Sequence, residues 1–254
     1  MAKVYHPATA LEAVTLRREM RESSVYLAGG TEVLRLASPA EGKALIDVLP
    51  LLPSEITEDG GKVRIGAGCS LQQLADSPLL PDFIREAASF CASSVRRGSA
   101  TLGGNLGARR DDGYLAAALT AAEAVSISVT PHGISELAVG DYLRSDCVRL
   151  LQYVVIDAGR QGSVKRVGNT AASHAAVIAA ESEGVYAVTV RGSGLIYSVQ
   201  DPAAPAPCGC KPEETSLRLS GEEFFGYLDA MEYKDDVTGS GAYKKYLVKT
   251  FYGR

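Results

Sequence analysis

The sequence predicts an α+β protein in two parts. A larger domain covers residues 1–158, split into lobes of about 1–57 and 58–158, and a smaller α+β domain covers 163–254. Three observations lead there. Short helix and strand patterns alternate through the first lobe, which suggests a small α/β lobe. Near Asp59-Gly60-Gly61 the period changes, and Lys62 to Gly68 alternates apolar with polar residues like a half-buried strand after a tight turn. Asp157 to Ser163 is polar and glycine-bearing, which makes it the best linker.

In chain order, Ala8 to Met20 carries Leu11, Val14 and Leu16 among charges and predicts an amphipathic helix. Val25-Tyr26-Leu27 is a β-rich run that stops at Gly29-Gly30. Thr31 then caps a helix through Ala37, with Val33, Leu34 and Leu36 as its apolar face and Pro39 beyond its end. Lys43 to Leu49 predicts a strand ended by Pro50 and Pro53. In the second lobe, Ser70 with Gln73 makes a capping box for a short helix. Pro78 and Pro81 separate it from a helix over Asp82 to Ser94, with Phe83, Ala87, Phe90 and Cys91 on one face. A helix over Tyr114 to Ala124 and strands over Val125 to Thr130 and Leu150 to Ile156 follow, with a polar connection between the strands.

Beyond the linker, Ala171 to Ala180 reads either as helical or as a tightly packed segment. Val185 to Val190 alternates as a strand, and Arg191-Gly192-Ser193-Gly194 turns into a strand over Leu195 to Val199. Pro202 to Pro212 is a proline-rich loop. A last helix runs from Gly241 to about Phe251, with Tyr243, Tyr246, Leu247 and Thr250 on one side and lysines on the other. No repeat at a solenoid period is visible.

Composition narrows the function classes. The 254 residues, 46% hydrophobic and 22% charged, suffice for a buried core without metal or disulfide support. The net charge of -4 offers no basic field for a phosphate backbone, so nucleic acid is not an expected partner. The longest apolar stretches, Leu115 to Ala122 and Ala171 to Ala180, fall far short of the ~20 residues of a membrane span. The N-terminal Met-Ala-Lys-Val-Tyr-His-Pro lacks the pattern of a secretory signal, so a cytoplasmic protein with no membrane partner is expected. Cys69, Cys91, Cys147, Cys208 and Cys210 are scattered without a Cys-x-x-Cys pair. They read as free thiols, not as zinc or iron–sulfur ligands.

Ordinary catalytic constellations are missing. His6, His132 and His174 stand beside no nucleophile and in no metal spacing, and neither Gly-x-Ser-x-Gly nor a Walker loop occurs. Gly66-Ala67-Gly68 continues with Leu71 where a dinucleotide fingerprint needs a third small residue. What remains are two glycine pairs, Leu27-Ala28-Gly29-Gly30-Thr31-Glu32 and Thr101-Leu102-Gly103-Gly104-Asn105. Each can cradle an anion, because glycine lets a ligand approach main-chain N–H groups and a following helix start points unpaired donors outward. Thr31 and Thr101 add hydroxyls, and Asn105 adds an amide. Glu32 counts against a phosphate unless its carboxylate turns away to support its own helix N-terminus. Arg96, Arg97, Arg109 and Arg110 bracket the second pair and can balance a pyrophosphate.

The Ala28-Gly29-Gly30-Thr31-Glu32 turn, followed about seventy residues later by Ala100-Thr101-Leu102-Gly103-Gly104-Asn105-Leu106, resembles the FAD-binding (medium) subunit of the molybdenum hydroxylases. That family includes the flavin subunit of xanthine dehydrogenase and the medium subunit of aerobic carbon monoxide dehydrogenase. The similarity extends over nearly the whole chain. It implies a two-lobed FAD-binding domain of the PCMH (vanillyl-alcohol oxidase-like) type to about residue 158, then the small C-terminal domain of these flavoproteins. It also implies that Leu27, Ala28, Gly29, Gly30, Thr31, Glu32 and Val33, with Ala100, Thr101, Leu102, Gly103, Gly104 and Asn105, wrap the FAD pyrophosphate and ribityl chain. The family's Asp, about ten residues past the second glycines, is replaced by Tyr114 on gapless counting, with Asp111 or Asp112 as neighbouring substitutes. A family Lys beside the flavin falls on Arg166, with Lys165 adjacent. Leu151 falls near a position that touches the ring system, and Cys91 where relatives often carry an aromatic group.

In these relatives a large subunit oxidises substrate at a molybdenum cofactor, a small subunit relays electrons through iron–sulfur clusters, and the flavin delivers them to NAD+ or another acceptor. The resemblance thus implies an FAD-dependent, xanthine dehydrogenase-like oxidoreductase subunit. Its partners would be a molybdenum cofactor-binding large subunit and an iron–sulfur small subunit. The alternatives are a non-catalytic scaffold with a degenerate flavin site, suggested by Tyr114 and Arg166, and a stand-alone flavin reductase or oxidase.

Overall fold

The computed structural model describes residues 3–35, 40–91, 93–171, 173–199 and 216–253. The Pro202 to Pro212 loop with Cys208 and Cys210, and the end of the expected Thr31 to Ala37 helix, lie outside the described residues. Among the described residues, three sheets organise the α+β chain. The first joins β1 (Val4–Tyr5), β2 (Ser24–Leu27) and β3 (Ala44–Asp47) in the order β1-β3-β2, all parallel. The second joins β4 (Ile56–Asp59), β5 (Lys62–Gly66), β6 (Val125–Thr130), β7 (Gly133–Ala138) and β8 (Leu150–Asp157), antiparallel in the order β4-β5-β8-β6-β7. The third joins β9 (Ser163–Gly168), β10 (Ala175–Ser182), β11 (Val185–Val190), β12 (Gly194–Ser198) and β13 (Ser216–Leu219), with only the β12–β13 pair parallel.

The helices are set by caps and apolar faces. α1 (Ala10–Met20) starts where the Thr9 hydroxyl accepts the Glu12 amide, and it buries Ala13 and Val14. α2 (Leu71–Asp76) carries the expected reciprocal Ser70–Gln73 box. The single helix expected over Asp82 to Ser94 is two: α3 (Asp82–Ser89), which follows Pro81, and α4 (Ser94–Ser99), capped by Ser93. The Ser93 hydroxyl accepts the Arg96 amide, so the serine starts a new helix instead of continuing the old one. α5 (Leu102–Gly107), α6 (Ala116–Ala121) and α7 (Val139–Arg144) complete this part. α8 (Gly221–Ala230) and α9 (Gly241–Phe251) lie beside the third sheet.

All six residues of α6 are buried. The helix packs against β10, β11 and β12 and so joins the second lobe to the third sheet. β10 resolves the open reading of Ala171 to Ala180: it is a strand from Ala175. Ile178 and Ala180 face the main core, and Val177 and Ala179 face a second core under α8 and α9. A strand buried on both faces shows no alternation, which is why its run of small apolar residues also read as helix. Among the described residues no helix is long and apolar enough to cross a membrane.

One lysine of α9 turns inward. Tyr243 and Tyr246 are exposed, whereas Lys244 is fully buried. Its ammonium donates to the carbonyls of Lys234 (2.8 Å) and Arg191 (3.1 Å) and pairs with Asp236 at 2.8 Å, so the charge is met inside.

Candidate functional site

The first glycine segment leaves β2 and turns at Gly29-Gly30. The described part of the expected Thr31 to Ala37 helix is a turn, held by the Leu34 amide on the Gly30 carbonyl (2.9 Å). The backbone reason lies in the glycines. Gly30 sits at φ +72, and a β-carbon on Gly29 would lie 1.8 Å from the Ser99 carbonyl oxygen. The amides of Gly29, Gly30, Thr31, Glu32 and Val33 donate to no protein acceptor among the described residues. A row of unsatisfied N–H groups around a glycine turn is a concave anion seat.

The second segment, to which the sequence assigned no element, is itself the short helix α5. The Thr101 hydroxyl caps α5 by accepting the Gly104 amide at 3.0 Å. Leu102 and Leu106, one turn apart, are buried and anchor it. The Leu102 and Gly103 amides donate to the carbonyls of Cys69 and Ala67, each at 2.8 Å. The Asn105 Oδ1 accepts the Leu115 amide at 3.2 Å. Gly66 and Gly68, which failed as a dinucleotide fingerprint, press on the Pro53 carbonyl, where β-carbons would lie 2.3 and 2.9 Å away. They hold the end of the first lobe against β5 and the turn that follows it.

These segments meet: Gly29 lies on the carbonyl of Ser99, just before Ala100. Together they face one cleft of about 240 Å³. Of the sequence-expected residues, Ala28, Gly29, Gly30, Thr31, Glu32, Val33, Ala100, Thr101, Gly103, Gly104, Asn105, Asp112, Tyr114 and Leu151 line it, and so does Cys91. Three do not. Leu27 is the last residue of β2 and lies beneath Gly30, Leu102 points into the core, and Arg166 donates to the carbonyls of Thr170 and Ser173 from β9. Strand alternation leaves Lys165 exposed on the opposite side from Arg166.

The site's charges are organised around Arg110. Its guanidinium pairs with Asp112 (2.7 Å) and with Glu32 (2.7 Å), which also meets Arg35 at 3.1 Å. Glu32 therefore serves the cleft's arginines and not a helix start, and its charge is already balanced. Burial pushes the Asp112 carboxyl up, but hydrogen bonds and charge from Arg110 and then His174 hold it below the usual carboxylate range. Burial pushes the Tyr114 phenol up, with Cys91 and Asp112 adding to it, so Tyr114 is a neutral hydroxyl at the cleft wall. Burial also raises the Cys91 thiol against the opposing charges of Arg96 and Arg97.

Sequence reasoning missed one end of the cleft and its far wall. Tyr26, Tyr142, Cys147 and Arg149 line the end, and Ser173 and His174 reach in from the start of β10. Arg109, at φ +47, donates to the carbonyls of Leu143 (3.1 Å), Ser145 and Asp146 (2.8 Å), and so shapes the loop that carries Cys147. No local motif marks these residues. Contacts distant in sequence tie them in: Arg109 holds the 143–146 loop, the Tyr26 hydroxyl donates to the Val148 carbonyl (2.6 Å), Arg149 donates to the Ser135 hydroxyl (2.8 Å), and His174 meets Asp112 (2.5 Å).

Comparison with known proteins gives a consistent picture. Residues 1–156 match the family model described as the FAD binding domain in molybdopterin dehydrogenase. The chain is 29% identical over 245 residues to the uncharacterized protein YgfM of Escherichia coli K12, covering 96% of this chain and 90% of that one. Its fold is similar to that of carbon monoxide dehydrogenase from Hydrogenophaga pseudoflava lacking the Mo-pyranopterin moiety, with a TM-score of 0.74 at 20% identity over 98% of this chain and 93% of that chain. Quinoline 2-oxidoreductase from Pseudomonas putida 86 gives a TM-score of 0.72 at 17% identity over 98% and 93% of the two chains.

Proposed function

The chain belongs to the family of FAD-binding domains of molybdopterin dehydrogenases, and on that basis we propose that it is the flavin subunit of a cytoplasmic, xanthine dehydrogenase-like molybdenum hydroxylase. In this reading an iron–sulfur small subunit passes it electrons that a molybdenum-containing large subunit takes from substrate, and NAD+ or another acceptor receives them. The observation that carries the reading is the contact of Gly29 with the Ser99 carbonyl, which brings two glycine segments to one cleft beside five unpartnered amides.

The residues present suit FAD. The glycines let main-chain segments pack closely, Gly29 on the Ser99 carbonyl and Gly103 on the Ala67 carbonyl, so that bare backbone lines the cleft, and the Gly29 to Val33 amides supply donors without a protein acceptor among the described residues. Glu32 does not repel the anion, because Arg110 and Arg35 neutralise it. Tyr114, Cys91 and Leu151 give the cleft a wall with little charge at the expected ring end. When bound, FAD would supply a ring that accepts and releases electrons, so the redox chemistry need not come from the side chains that line the cleft. The chain's work is grip, orientation and exclusion of water.

Reconstitution tests this. The purified chain incubated with FAD is expected to retain a flavin absorption spectrum after desalting, and the co-expressed complex to carry molybdenum and iron–sulfur subunits. A folded chain that stays colourless contradicts the reading. One that binds FAD but assembles with no such partner contradicts the placement in a complex.

A further inference from the structure

Asp112 sits in the cleft wall, yet its carboxylate is committed to protein. One oxygen accepts from Arg110 Nε at 2.7 Å. The other meets Arg110 Nη2 (3.1 Å), Arg191 Nη1 (2.9 Å) and His174 Nδ1 (2.5 Å). The side chain is 4% exposed. Next to it, Asp111 accepts the Gly192 amide at 2.7 Å. Arg191 and Gly192 form the turn between β11 and β12, so two consecutive acids grip one turn of the third sheet.

The ion pairs continue in both directions. On the cleft side, Arg110 holds Glu32 of the first glycine segment at 2.7 Å. On the far side, Arg191 lies 3.6 Å from Asp236, which pairs with the buried Lys244 at the start of α9 at 2.8 Å. Charges of alternating sign therefore run from the glycine turn, through Asp112, into the C-terminal sheet and helix. Arg191 does not line the cleft, whereas Arg110, Asp112 and His174 do.

We propose that Asp112 is a positioning residue that couples the grip on the cofactor to the seating of the third sheet, and is not itself a cofactor ligand. The inference rests on the reading of the cleft as an FAD site. With Asp112 in place, Arg110 is held where it balances Glu32 beside the anion seat, and His174 is held at the cleft wall. Loss of the Arg191–Asp112 contact frees the β11–β12 turn and leaves Arg110 and Glu32 to rearrange. A ligand bound among the Gly29 to Val33 amides then feels a change made outside the cleft. Such coupling is reciprocal: what Arg191 does for FAD affinity, FAD must do for the order of the Arg191-Gly192 turn.

Two measurements on the purified full chain test this. FAD affinity is titrated by flavin fluorescence for wild type, Arg191→Met, Arg191→Lys and Asp112→Asn, and amide hydrogen exchange of residues 190–194 is followed with and without FAD. Arg191→Met and Asp112→Asn are expected to weaken FAD binding about ten-fold, within the range usual for coupled sites. Arg191→Lys restores most of the affinity, because an ammonium still meets Asp112. FAD is expected to slow exchange at Gly192 in wild type but not in Asp112→Asn. If Arg191→Met does not fold, Arg191→Lys and the exchange experiment carry the test. Wild type that binds FAD, variants that bind it equally well and Gly192 exchange indifferent to FAD overturn the coupling alone. Wild type that takes up no FAD overturns the functional reading together with it.

Discussion

Gly29 lies so near the Ser99 carbonyl that a β-carbon added to it would stand 1.8 Å from the oxygen. The same construction on Gly103 meets the Ala67 carbonyl at 3.0 Å, and on Gly107 meets nothing within 4 Å. The three glycines therefore differ in what they do. Gly29→Ala is expected to destabilise by about 3 kcal/mol or more through backbone overlap, at or beyond the top of the usual overpacking range. Gly103→Ala should stay within about 1 kcal/mol of wild type, since gained helix propensity offsets a mild clash. Gly107→Ala should stabilise by roughly 0.5–1 kcal/mol. Urea denaturation of the three variants checks the order.

Acid should weaken the seat of the third sheet. The Asp112 carboxyl is held below its unfolded value by Arg110 and His174. Against the upward push of its burial, hydrogen bonds from Lys244 and Thr238 hold Asp236 at about 2. A depressed folded-state pKa contributes stability that is present above the unfolded value of about 4 and is lost as pH falls through the folded one. The melting temperature is thus expected to fall below about pH 4. In Asp112→Asn it should start lower at neutral pH and decline less steeply, as a thermal melt series shows.

Lys244 is fully buried, and its Nζ meets Asp236 and two carbonyls. Lys244→Met keeps most of the volume but strands those acceptors. The expected loss is about 3 kcal/mol, the scale for breaking a buried pair by removing one partner. Chemical denaturation measures it, and an unchanged midpoint would mean that water replaces the ammonium there.

The thiols report on the cleft. Burial raises the pKa of Cys69 and Cys91, while Cys147 is exposed in the cleft wall. Site-resolved mass spectrometry after iodoacetamide treatment should find Cys147 alkylated much faster than Cys69 or Cys91. FAD should slow the Cys147 reaction.

Much of this architecture was legible in the sequence, and the gaps have physical causes. The capping box at Ser70, the helix of α1 and the strands around Val63 and Val125 follow from local patterns. The edge strand β7 did not, because most of its residues are exposed and Ile134 faces outward, which removes the alternation. α8 had a readable start, since Ser220 and Glu223 form a capping box before Phe224. The glycine segments were visible as motifs. How the two segments pack, the first on Ser99 and the second on Ala67 and Cys69, depended on partners far away in sequence. The arginine next to the second motif was also visible. Its bond to Asp112, and through Asp112 to Arg191, needed the third dimension.

The central claim is that two glycine segments grip a diphosphate, and comparing ligands tests it most directly. Equilibrium titration of the purified chain with FAD, FMN and riboflavin, read by flavin fluorescence, isolates that grip. FAD is expected to bind at least about 100-fold more tightly than riboflavin, a difference of about 2.7 kcal/mol, with ADP competing for the site. Equal affinity for FAD and riboflavin, with no competition from ADP, would contradict the account.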